Sequence, residues 1–503
     1  MKLEFDSFVP YGNTIFPECI LLLGLLIILS IDLTSDRRNI TSLYSIALGS
    51  LLITTIILLF GLETESVITP SSSLEADGFS KIFQLLVVLS STICIFISIE
   101  YIECTESATT ELLVFLLAGT IGGMFLCAAN DLVTISVSLE CSSLCSYSLC
   151  SYTGKDIRSN EAAIKYLPMG GLSSSVLAYG FSWLYGSSGG ETNMHKVVNG
   201  LLLYKEIFNP TGLSVAFICI IIGLAFKLSL VPFHQWTPDI YEGSQTPVVA
   251  FLSVTSKIAS IALTIRIFNT LSIPSTNEWK LMLEILAISS MLLGNLVAIT
   301  QTSMKRMLAY SAISQMGYII IGLITGNSDG YTSMIVYIFF YIFMSLGTFA
   351  CVISFGLRTG TDNIRDYEGL YVRDPLLGIS LILCILSLGG IPPLTGFFGK
   401  LYLFRCGWQA GFYLLVVIAL TTSIISIYYY LKIVKSIMYS KKKQLNLYME
   451  TYIISSTFFT QRNFIKYIIS LCTIGSIFLG LLINPLRYSV QEIIELSTRS
   501  LNS

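Results

Sequence analysis

The sequence predicts an all-α polytopic membrane protein with about fourteen transmembrane helices in one membrane domain. Of its 503 residues, 53% are hydrophobic and only 12% are charged, and the mean hydropathy is +0.75. Soluble domains carry about 25% charged residues. Apolar runs of the roughly 20 residues that a bilayer core requires recur along the whole chain. The net charge of -2 gives no sign of a nucleic-acid-binding surface.

The runs fall into four parts, and we number the predicted helices 1 to 14. Helices 1 to 3 span about 15–100, a first group of five about 111–271 and a second group of five about 281–435, and helix 14 with the C-terminal tail spans about 463–503. Because five is an odd number of crossings, the second group starts from the opposite side of the membrane. This arrangement predicts two inverted repeats, a device typical of transporters.

The sidedness of the helices follows from the basic residues in their connections. Most lysines and arginines lie in odd-numbered connections, including Arg37, Arg158, Lys305, Arg306 and Arg365. Positively charged connections tend to stay on the side of synthesis, which we call the cis side. We therefore expect both termini on the opposite, trans side.

Four ionisable residues lie inside apolar runs. Glu140 is in helix 5, Lys227 in helix 7, Lys257 in helix 8 and Lys400 in helix 12. A charge at such a depth costs roughly 2.5 to 3.5 kcal/mol on insertion scales, and residues of this kind usually mark ion paths. Structural ion pairing is the alternative, but one carboxylate does not pair three lysines. We therefore predict that these four residues form a proton path.

Helix breakers adjoin two of these lysines. Pro232 follows Lys227, and the stretch LGGIPPLTGFFGK ends at Lys400. Irregular backbone at membrane depth is tolerated only where protein or a water-filled cavity surrounds it, so helices 7 and 12 are expected to be discontinuous. Burial disfavours the charged form of a lysine, and a nearby carboxylate favours it. A contact between Glu140 and Lys227 that forms and breaks would load and unload the lysine.

Other polar residues are weaker candidates. Lys165 and His234, the latter in the loop segment PFHQWTPDIYEG, are possible members of the path. Lys165, Arg266 and Glu284 lie near helix ends, where long side chains snorkel towards water and have structural roles. Only two histidines are present, and the twelve cysteines are scattered without a CxxC pair. We therefore expect no metal site and no redox cofactor in this chain.

Long motifs carry a family resemblance. The stretches GGMFLCAANDLVTISVSLECSSLCSY, FKLSLVPFHQWTPDIYEGSQTPVVAFLSVTSK, QTSMKRMLAYSAISQMGY and GGIPPLTGFFGKLYLF resemble the antiporter-like membrane subunits of respiratory complex I and its photosynthetic relatives. RSNEAAIKYL, GFSWLYGSSGGE, LRTGTDNIRDYEGLY and CGWQAGFYLLV are most similar to the plastid branch of that family. The resemblance covers about residues 15–435.

The resemblance implies fourteen helices, two inverted five-helix repeats and discontinuous helices 7 and 12. It also implies a proton-translocating membrane-arm subunit of an NAD(P)H or ferredoxin–plastoquinone oxidoreductase. The family's proton-handling positions match Glu140, Lys227, Lys257 and Lys400. Iron–sulfur clusters and plastoquinone are expected on partner subunits of the membrane and peripheral arms.

The amino terminus, MKLEFDSFVPYGNTIFPECILLL, shows no transit or signal peptide. With the resemblance, this predicts an organelle-encoded protein of the chloroplast thylakoid membrane, with a bacterial or mitochondrial inner membrane as the alternative. Two other functions stay open, a subunit of a multisubunit cation/proton antiporter and a purely structural membrane subunit.

Three departures from the family pattern lead to local expectations. Pro168 predicts a kink in helix 6. Gln245 replaces a usual proline and is expected to loosen the loop before helix 8. The basic residues of segment 441–463 predict a turn that faces lipid headgroups.

Overall fold

The computed structural model describes residues 2–34, 40–62, 67–69, 72–105, 108–154, 156–203, 210–271, 278–439, 464–483, 485 and 487–492. Eighteen α-helices, one 3-10 helix (Ile364–Tyr367) and one two-stranded hairpin are found in this part of the chain. The first nine helices are α1 (Lys2–Thr34), α2 (Ile40–Gly61), α3 (Gly78–Thr105), α4 (Thr109–Ala128), α5 (Leu132–Ser151), α6 (Ile157–Ser187), α7 (Met194–Leu203), α8 (Pro210–Lys227) and α9 (Trp236–Gly243). The others are α10 (Thr246–Leu271), α11 (Glu278–Ala298), α12 (Met304–Thr325), α13 (Ser328–Thr359), α14 (Leu370–Arg373), α15 (Pro375–Gly389), α16 (Thr395–Gln409), α17 (Tyr413–Met438) and α18 (Phe464–Leu481).

The helices account for the fourteen predicted crossings. In the described part of the chain, ten helices are long and apolar enough to cross a membrane: α1 to α5, α10 to α13 and α17. Three shorter apolar helices, 212–227, 375–389 and 464–480, supply helix 7, helix 12 and helix 14. The less apolar α6, with 31 residues, is helix 6. Helix 7 consists of α8 and α9, and helix 12 consists of α15 and α16, so both are discontinuous as predicted.

Matching backbone contacts reveal the internal repeat. Asp131, before α5, forms an antiparallel bridge with Asn193, and Ser303, before α12, forms one with Asn363. Each bridge is closed by two backbone hydrogen bonds of 2.8–3.0 Å in the same pattern. Since α5 and α12 are helices 5 and 10, the two bridges lie five crossings apart. The second bridge is therefore on the opposite side of the membrane from the first.

Side-chain exposure separates the central helices from those that face lipid. Most residues of α10, α12 and α13 are buried inside the protein. By contrast, α1, α2, α11 and α17 expose rows of large apolar side chains, such as Leu23, Leu59, Leu281 and Ile424. Such exposed apolar side chains fit the hydrocarbon core of a bilayer, which contains no water. Of the four predicted path residues, Lys257 lies on one of these enclosed helices, α10.

A small hairpin covers the end of the first repeat at which α4 and α5 join. Strands β1 (Val67–Ile68) and β2 (Glu75–Ala76) pair in antiparallel register. Leu74 forms a bridge with Ala129 at the junction of α4 and α5. The hairpin therefore fixes the connection between helices 2 and 3 onto the ends of helices 4 and 5.

The local expectations have different outcomes. Pro168 lies inside α6, which continues as one helix on both sides of it. Gln245 precedes α10, and its side chain accepts a hydrogen bond from the Tyr152 hydroxyl, which ties this loop to the end of α5. Segment 441–463 lies outside the described residues.

Candidate functional site

The break in helix 7 begins at a left-handed residue. The Ser229 amide donates to the Phe226 carbonyl at 3.0 Å, and the Leu230 amide donates to the Ala225 carbonyl at 2.8 Å. Ser229 itself has a φ of +58°. This combination is a Schellman motif, a frequent way to end a helix. It stops α8 at Lys227.

The break in helix 12 has the same motif. Gly390 has a φ of +80°, and its amide donates to the Ser387 carbonyl at 3.0 Å. The Ile391 amide donates to the Leu386 carbonyl at 3.2 Å. Glycine adopts a positive φ at no steric cost, whereas serine does so with strain. The serine of the first break therefore suggests a role for its side chain.

An aromatic residue closes the first break from the other side. The Trp236 indole Nε1 donates to the Phe226 carbonyl at 3.2 Å. Its ring stacks on Tyr166 of α6 at 4.9 Å and on Phe226 at 5.4 Å between ring centroids. The Phe226 carbonyl, which also accepts from the Ser229 amide, thus has a side chain as its second donor at the end of α8.

Lys257 is fully buried and is bound to the first break. Its side chain, on α10, donates through Nζ to the Ser229 Oγ at 2.9 Å. The amino group lies 6.0 Å from the ring centroid of Tyr241 on α9. Its exposed fraction is 1%. A neutral hydroxyl, and no carboxylate, is thus the direct partner of this lysine.

Lys400 is held by the second break in a different way. Its Nζ donates to the carbonyl oxygens of Leu388 at 2.9 Å and of Gly389 at 3.3 Å, the last residues of α15. The Tyr318 ring lies 4.9 Å from the amino group. Cations are favourable at a helix C-terminus, where the unpaired carbonyls concentrate negative charge. The lysine therefore caps one half of its own helix.

Lys227 and Glu140 act on each other without a direct contact. The Glu140 carboxylate is the charged group that acts on the Lys227 amino group. No ion pair within 4 Å joins these two described residues; instead the Ser143 hydroxyl donates to Glu140 Oε2 at 3.3 Å. The carboxylate is held on its own helix, within electrostatic range of the lysine. The contact between Glu140 and Lys227 that forms and breaks stays a prediction.

The two break lysines lie on corresponding helices but not at corresponding positions. Lys227 is the last residue of α8, before its break, whereas Lys400 lies inside α16, after its break. They are therefore not symmetry partners residue for residue, although both adjoin the same backbone motif. Among the described residues, no direct hydrogen bond connects any two of Glu140, Lys227, Lys257 and Lys400.

The weaker candidates, Lys165 and His234, make other contacts. Lys165 is half exposed and pairs with Glu161 at 2.8 Å and with Asp239 at 3.8 Å. Asp239 also binds Arg306 at 3.3 Å, so this ionic cluster connects helices 6, 7 and 10. His234 lies in the break between α8 and α9, with its ring 6.5 Å from that of Tyr310.

Arg266 is buried, and this corrects the expectation that it snorkels. The guanidinium, in α10, donates to Asp77 Oδ1 at 2.9 Å and to the Ala128 carbonyl at 3.2 Å, and lies 3.8 Å from Glu75 Oε2. His195 lies 3.5 Å from the same carboxylate. With carboxylates and helix-end carbonyls supplied by the protein, the arginine does not need lipid headgroups. Glu284, on α11, is partly exposed.

The Glu75 carboxyl has a lowered pKa in this cluster. Burial by itself raises the pKa, but the hydrogen bond with His195 and the charge of Arg266 lower it by more. The net effect keeps the carboxylate ionised at neutral pH. The cluster is thus an ionic clamp between the hairpin, α7, α10 and the α4–α5 junction.

Glu18 is a second buried acid that sequence reasoning missed. It lies near the start of the first apolar run and is 3% exposed. Gln84 of α3 donates through Nε2 to its Oε1 at 2.6 Å. The glutamine in the opposing run of helix 3 was the available signal.

Comparison with known families identifies most of the chain. Residues 129–426, more than half of the chain, match the family described as NADH:quinone oxidoreductase/Mrp antiporter, TM. Residues 1–100 match the family described as NAD(P)H-quinone oxidoreductase subunit 2 N-terminal. The first match contains all four predicted path residues. Both agree with the resemblance seen in the sequence.

Solved structures show the same architecture. A chain of respiratory complex I from Thermus thermophilus, solved with bound aureothin, is 27% identical, with a TM-score of 0.77 over 94% of this chain and 99% of that one. A chain of the archaeal membrane-bound sulfane sulfur reductase has a TM-score of 0.84 at 21% identity, covering 96% and 97%. A chain of the Mrp complex from Dietzia sp. DQ12-45-1b has 0.81 at 20%, covering 96% and 97%. The last two show the fold alone.

The breaks, the buried lysines and both family matches lead to one conclusion. The chain belongs to the NADH:quinone oxidoreductase/Mrp antiporter family of membrane subunits, and its first 100 residues match the family described as NAD(P)H-quinone oxidoreductase subunit 2 N-terminal.

Proposed function

We propose that this chain moves protons across the membrane through Glu140, Lys227, Lys257 and Lys400, driven by quinone reduction in partner subunits. The partners would be membrane-arm and peripheral-arm subunits that carry iron–sulfur clusters and reduce plastoquinone. The membrane would be the chloroplast thylakoid, because RSNEAAIKYL and three further stretches resemble the plastid branch.

The observation that carries the proposal is the choice of lysine partners. Lys257 is bound to a hydroxyl, and Lys400 is bound to two backbone carbonyls. A lysine that only stabilises the fold is expected to pair with a carboxylate, because breaking a buried charge pair costs about 3–5 kcal/mol. Neutral oxygen partners tolerate both the ammonium and the amine. These lysines are therefore suited to exchange protons.

Glu140 supplies the control of the first step. When the carboxylate swings from Ser143 towards Lys227, it stabilises the ammonium, and the lysine takes up a proton. When the carboxylate returns to Ser143, the ammonium loses its counter-ion inside an apolar helix. The proton then leaves towards the first break, where Ser229 and Lys257 lie. Lys400 at the second break is the terminal group of the path.

Alanine substitution in the assembled complex tests the path. Lys227→Ala and Lys400→Ala should each lower coupled quinone reduction and proton uptake by at least about tenfold, since a positioned proton-transfer group contributes about 100-fold or more. Lys435→Ala, at an exposed position near the end of α17, is the matched control. A complex that assembles with either path variant and pumps at the full rate would contradict the proposal.

The matched N-terminal family argues against a stand-alone antiporter. Residues 1–100 match subunit 2 of NAD(P)H-quinone oxidoreductases. Co-purification of the tagged chain with iron–sulfur subunits is the expected result. Isolation with antiporter subunits alone would instead indicate a subunit of a multisubunit cation/proton antiporter.

A further inference from the structure

A cavity of about 630 Å³ opens at the level where two membrane spans end. The span of α11 ends at Ala298 and the span of α12 begins at Met304, and residues 298–302 between them line the cavity. Residues of the connection 363–366 and of one face of α17 complete the lining. The cavity therefore lies at the boundary between the hydrocarbon core and the headgroup layer. Its volume falls within the roughly 300–1,000 Å³ of ordinary ligand sites.

The charged side chains of the cavity give it a net positive charge. Arg365 and Lys432 supply two cations, and Asp366 supplies one anion. In the part of the chain that the structure describes, no ion pair within 4 Å joins any of the three to an opposite charge. The two cations are therefore available to an anion, and the Asp366 carboxylate is available to accept hydrogen bonds from hydroxyl groups. Basic pockets between transmembrane helices bind the headgroups of anionic lipids.

The corresponding place in the first repeat is filled by protein. There Asn193, at the bridge with Asp131, donates through Nδ2 to the Ser72 carbonyl in the loop of the hairpin at 2.8 Å. Asn363 takes the same place at the second bridge, with Ser303, but it makes no side-chain cap hydrogen bond and lines the cavity. Among the residues that the structure describes, the one pair of strands covers the first bridge. The second repeat therefore has a polar cavity where the first has a protein cover.

Two apolar stripes lead from the cavity along the surface that faces lipid. Leu292 and Leu296 are exposed in the last two turns of α11 before the cavity. On α17, Ile424 and Tyr428 are exposed in the two turns before the cavity residue Lys432. Residues four apart lie on one face of a helix, so each stripe ends at the cavity. Because α11 packs against α17 and both helices run towards the cavity, the two stripes fit the two acyl chains of one lipid.

We propose that the cavity binds the headgroup of an anionic glycerolipid whose acyl chains lie along the two stripes. Arg365 and Lys432 hold the phosphate through charge-assisted hydrogen bonds, which are stronger than neutral ones. Asn363 and Asp366 bind the hydroxyl groups of a phosphoglycerol headgroup. A phosphocholine headgroup would place a third cation beside two others and offers Asp366 no hydroxyl. The lipid thus joins two connections and α17, as the hairpin does in the first repeat, and this role is independent of the proton path.

Photolabelling of the assembled complex tests the site. The complex is placed in phosphatidylcholine vesicles that contain phosphatidylglycerol with a photoactivatable diazirine in one acyl chain, and peptide mass spectrometry locates the label. We expect label on the peptides with Leu296 or Tyr428, displaced by unlabelled phosphatidylglycerol and not by phosphatidylcholine. Arg365→Gln combined with Lys432→Gln should lower this labelling at least about tenfold, because both charged contacts are lost. Lys280→Gln, at the other end of α11, is the matched control and should label like the parent.

Three outcomes overturn the proposal. Equal labelling of the parent and the double variant would mean that the chains touch the helices without recognition of the headgroup. Displacement of the label by inorganic phosphate alone would identify a site for free anions. Absence of label from both stripes in the assembled complex would mean that another subunit, and no lipid, covers this face. Should the double variant fail to assemble, Lys432→Gln alone, at an exposed position, replaces it and should lower labelling at least about threefold.

A stability measurement complements the labelling. A ligand that binds only the folded protein stabilises it in proportion to its occupancy. Phosphatidylglycerol added to the delipidated complex should therefore raise the melting temperature of the parent more than phosphatidylcholine does. The Arg365→Gln, Lys432→Gln complex should respond equally to the two lipids, and Lys280→Gln should respond like the parent. A preference for phosphatidylglycerol that is unchanged in the double variant would contradict binding through these two cations.

Discussion

The Lys257 amino group donates to the Ser229 hydroxyl at 2.9 Å, and Ser229 is also the left-handed residue that ends α8. One residue therefore sets both the shape of the break and the partner of a path lysine. A change in the backbone at Ser229 would move the oxygen to which the lysine is bound.

Ser229→Gly should separate these two roles. Glycine accepts the positive φ more easily than serine, so the break should persist and the complex should assemble. Because Lys257 loses its hydroxyl partner, we expect coupled proton uptake to fall at least about tenfold. Ser229→Asn, which tolerates the left-handed region and keeps an oxygen acceptor, should retain more activity. Equal activity of the glycine and parent complexes would show that the hydroxyl is dispensable.

Glu140→Gln should slow the loading of Lys227. The amide keeps the shape of the side chain and removes the charge that acts on the lysine. We expect coupled quinone reduction to fall at least about tenfold, with normal assembly. Glu191→Gln, a half-exposed acid in the connection after α6, serves as the control. Full activity of Glu140→Gln would exclude a role for this carboxylate in loading.

Gly396→Ala should prevent correct closure of the second break. A Cβ at this position would lie 1.8 Å from the Ser387 carbonyl oxygen, a backbone atom that cannot move without opening the end of α15. We expect loss of assembled complex, measured by native electrophoresis. Gly171→Ala in α6, where no atom lies within 4 Å of the added Cβ, should assemble normally. Normal assembly of Gly396→Ala would mean that α15 and α16 can separate.

The hairpin cluster predicts an acid limit of stability. The pKa of Glu75 is lowered in the folded protein, so its contribution is fully present above the unfolded value, about 4.3, and is lost as the pH falls through the folded value. Thermal unfolding of the purified complex, followed from about pH 6 down to about pH 2.5, should show this loss below about pH 4.3. Glu75→Gln should be less stable at pH 7 and less sensitive to acid. Parallel curves for the two proteins would contradict the assignment.

Removal of Arg266 should be more damaging than removal of an exposed charge. The guanidinium binds Asp77 and the Ala128 carbonyl and faces Glu75, all of them buried. Arg266→Ala removes the guanidinium from two buried carboxylates, and we expect a loss of about 3–5 kcal/mol of unfolding free energy. Double substitution with Glu75→Gln should recover part of it. Equal melting temperatures of the parent and Arg266→Ala complexes would argue against the clamp.

The sequence was sufficient for features that depend on one stretch of chain. The length and spacing of the apolar runs predicted the fourteen crossings, and Pro232 and the stretch before Lys400 located both breaks. The cost of a charge in the membrane selected the three lysines and Glu140. These are local signals, since each requires only the residue and its immediate neighbours.

Features that depend on distant residues were missed. Glu75, His195 and Arg266 meet only because a hairpin, α7 and α10 pack together. Lys400 is bound to backbone carbonyls, and sequence letters do not show where a carbonyl is left unpaired. The sequence does not indicate that Ser229, between Lys227 and Pro232, adopts a left-handed backbone conformation. Pairing and backbone conformation are properties of the fold.

The position of Lys400 at the end of α15 also affects how the site refills. The end of a helix carries roughly half a negative charge, fixed in the peptide groups. On the proposed path, the carbonyls of Leu388 and Gly389 would stay in place after Lys400 releases its proton, and their negative partial charge would attract the next proton. The fixed partial charge at the end of α15 would therefore favour the return of a proton to Lys400 after each release.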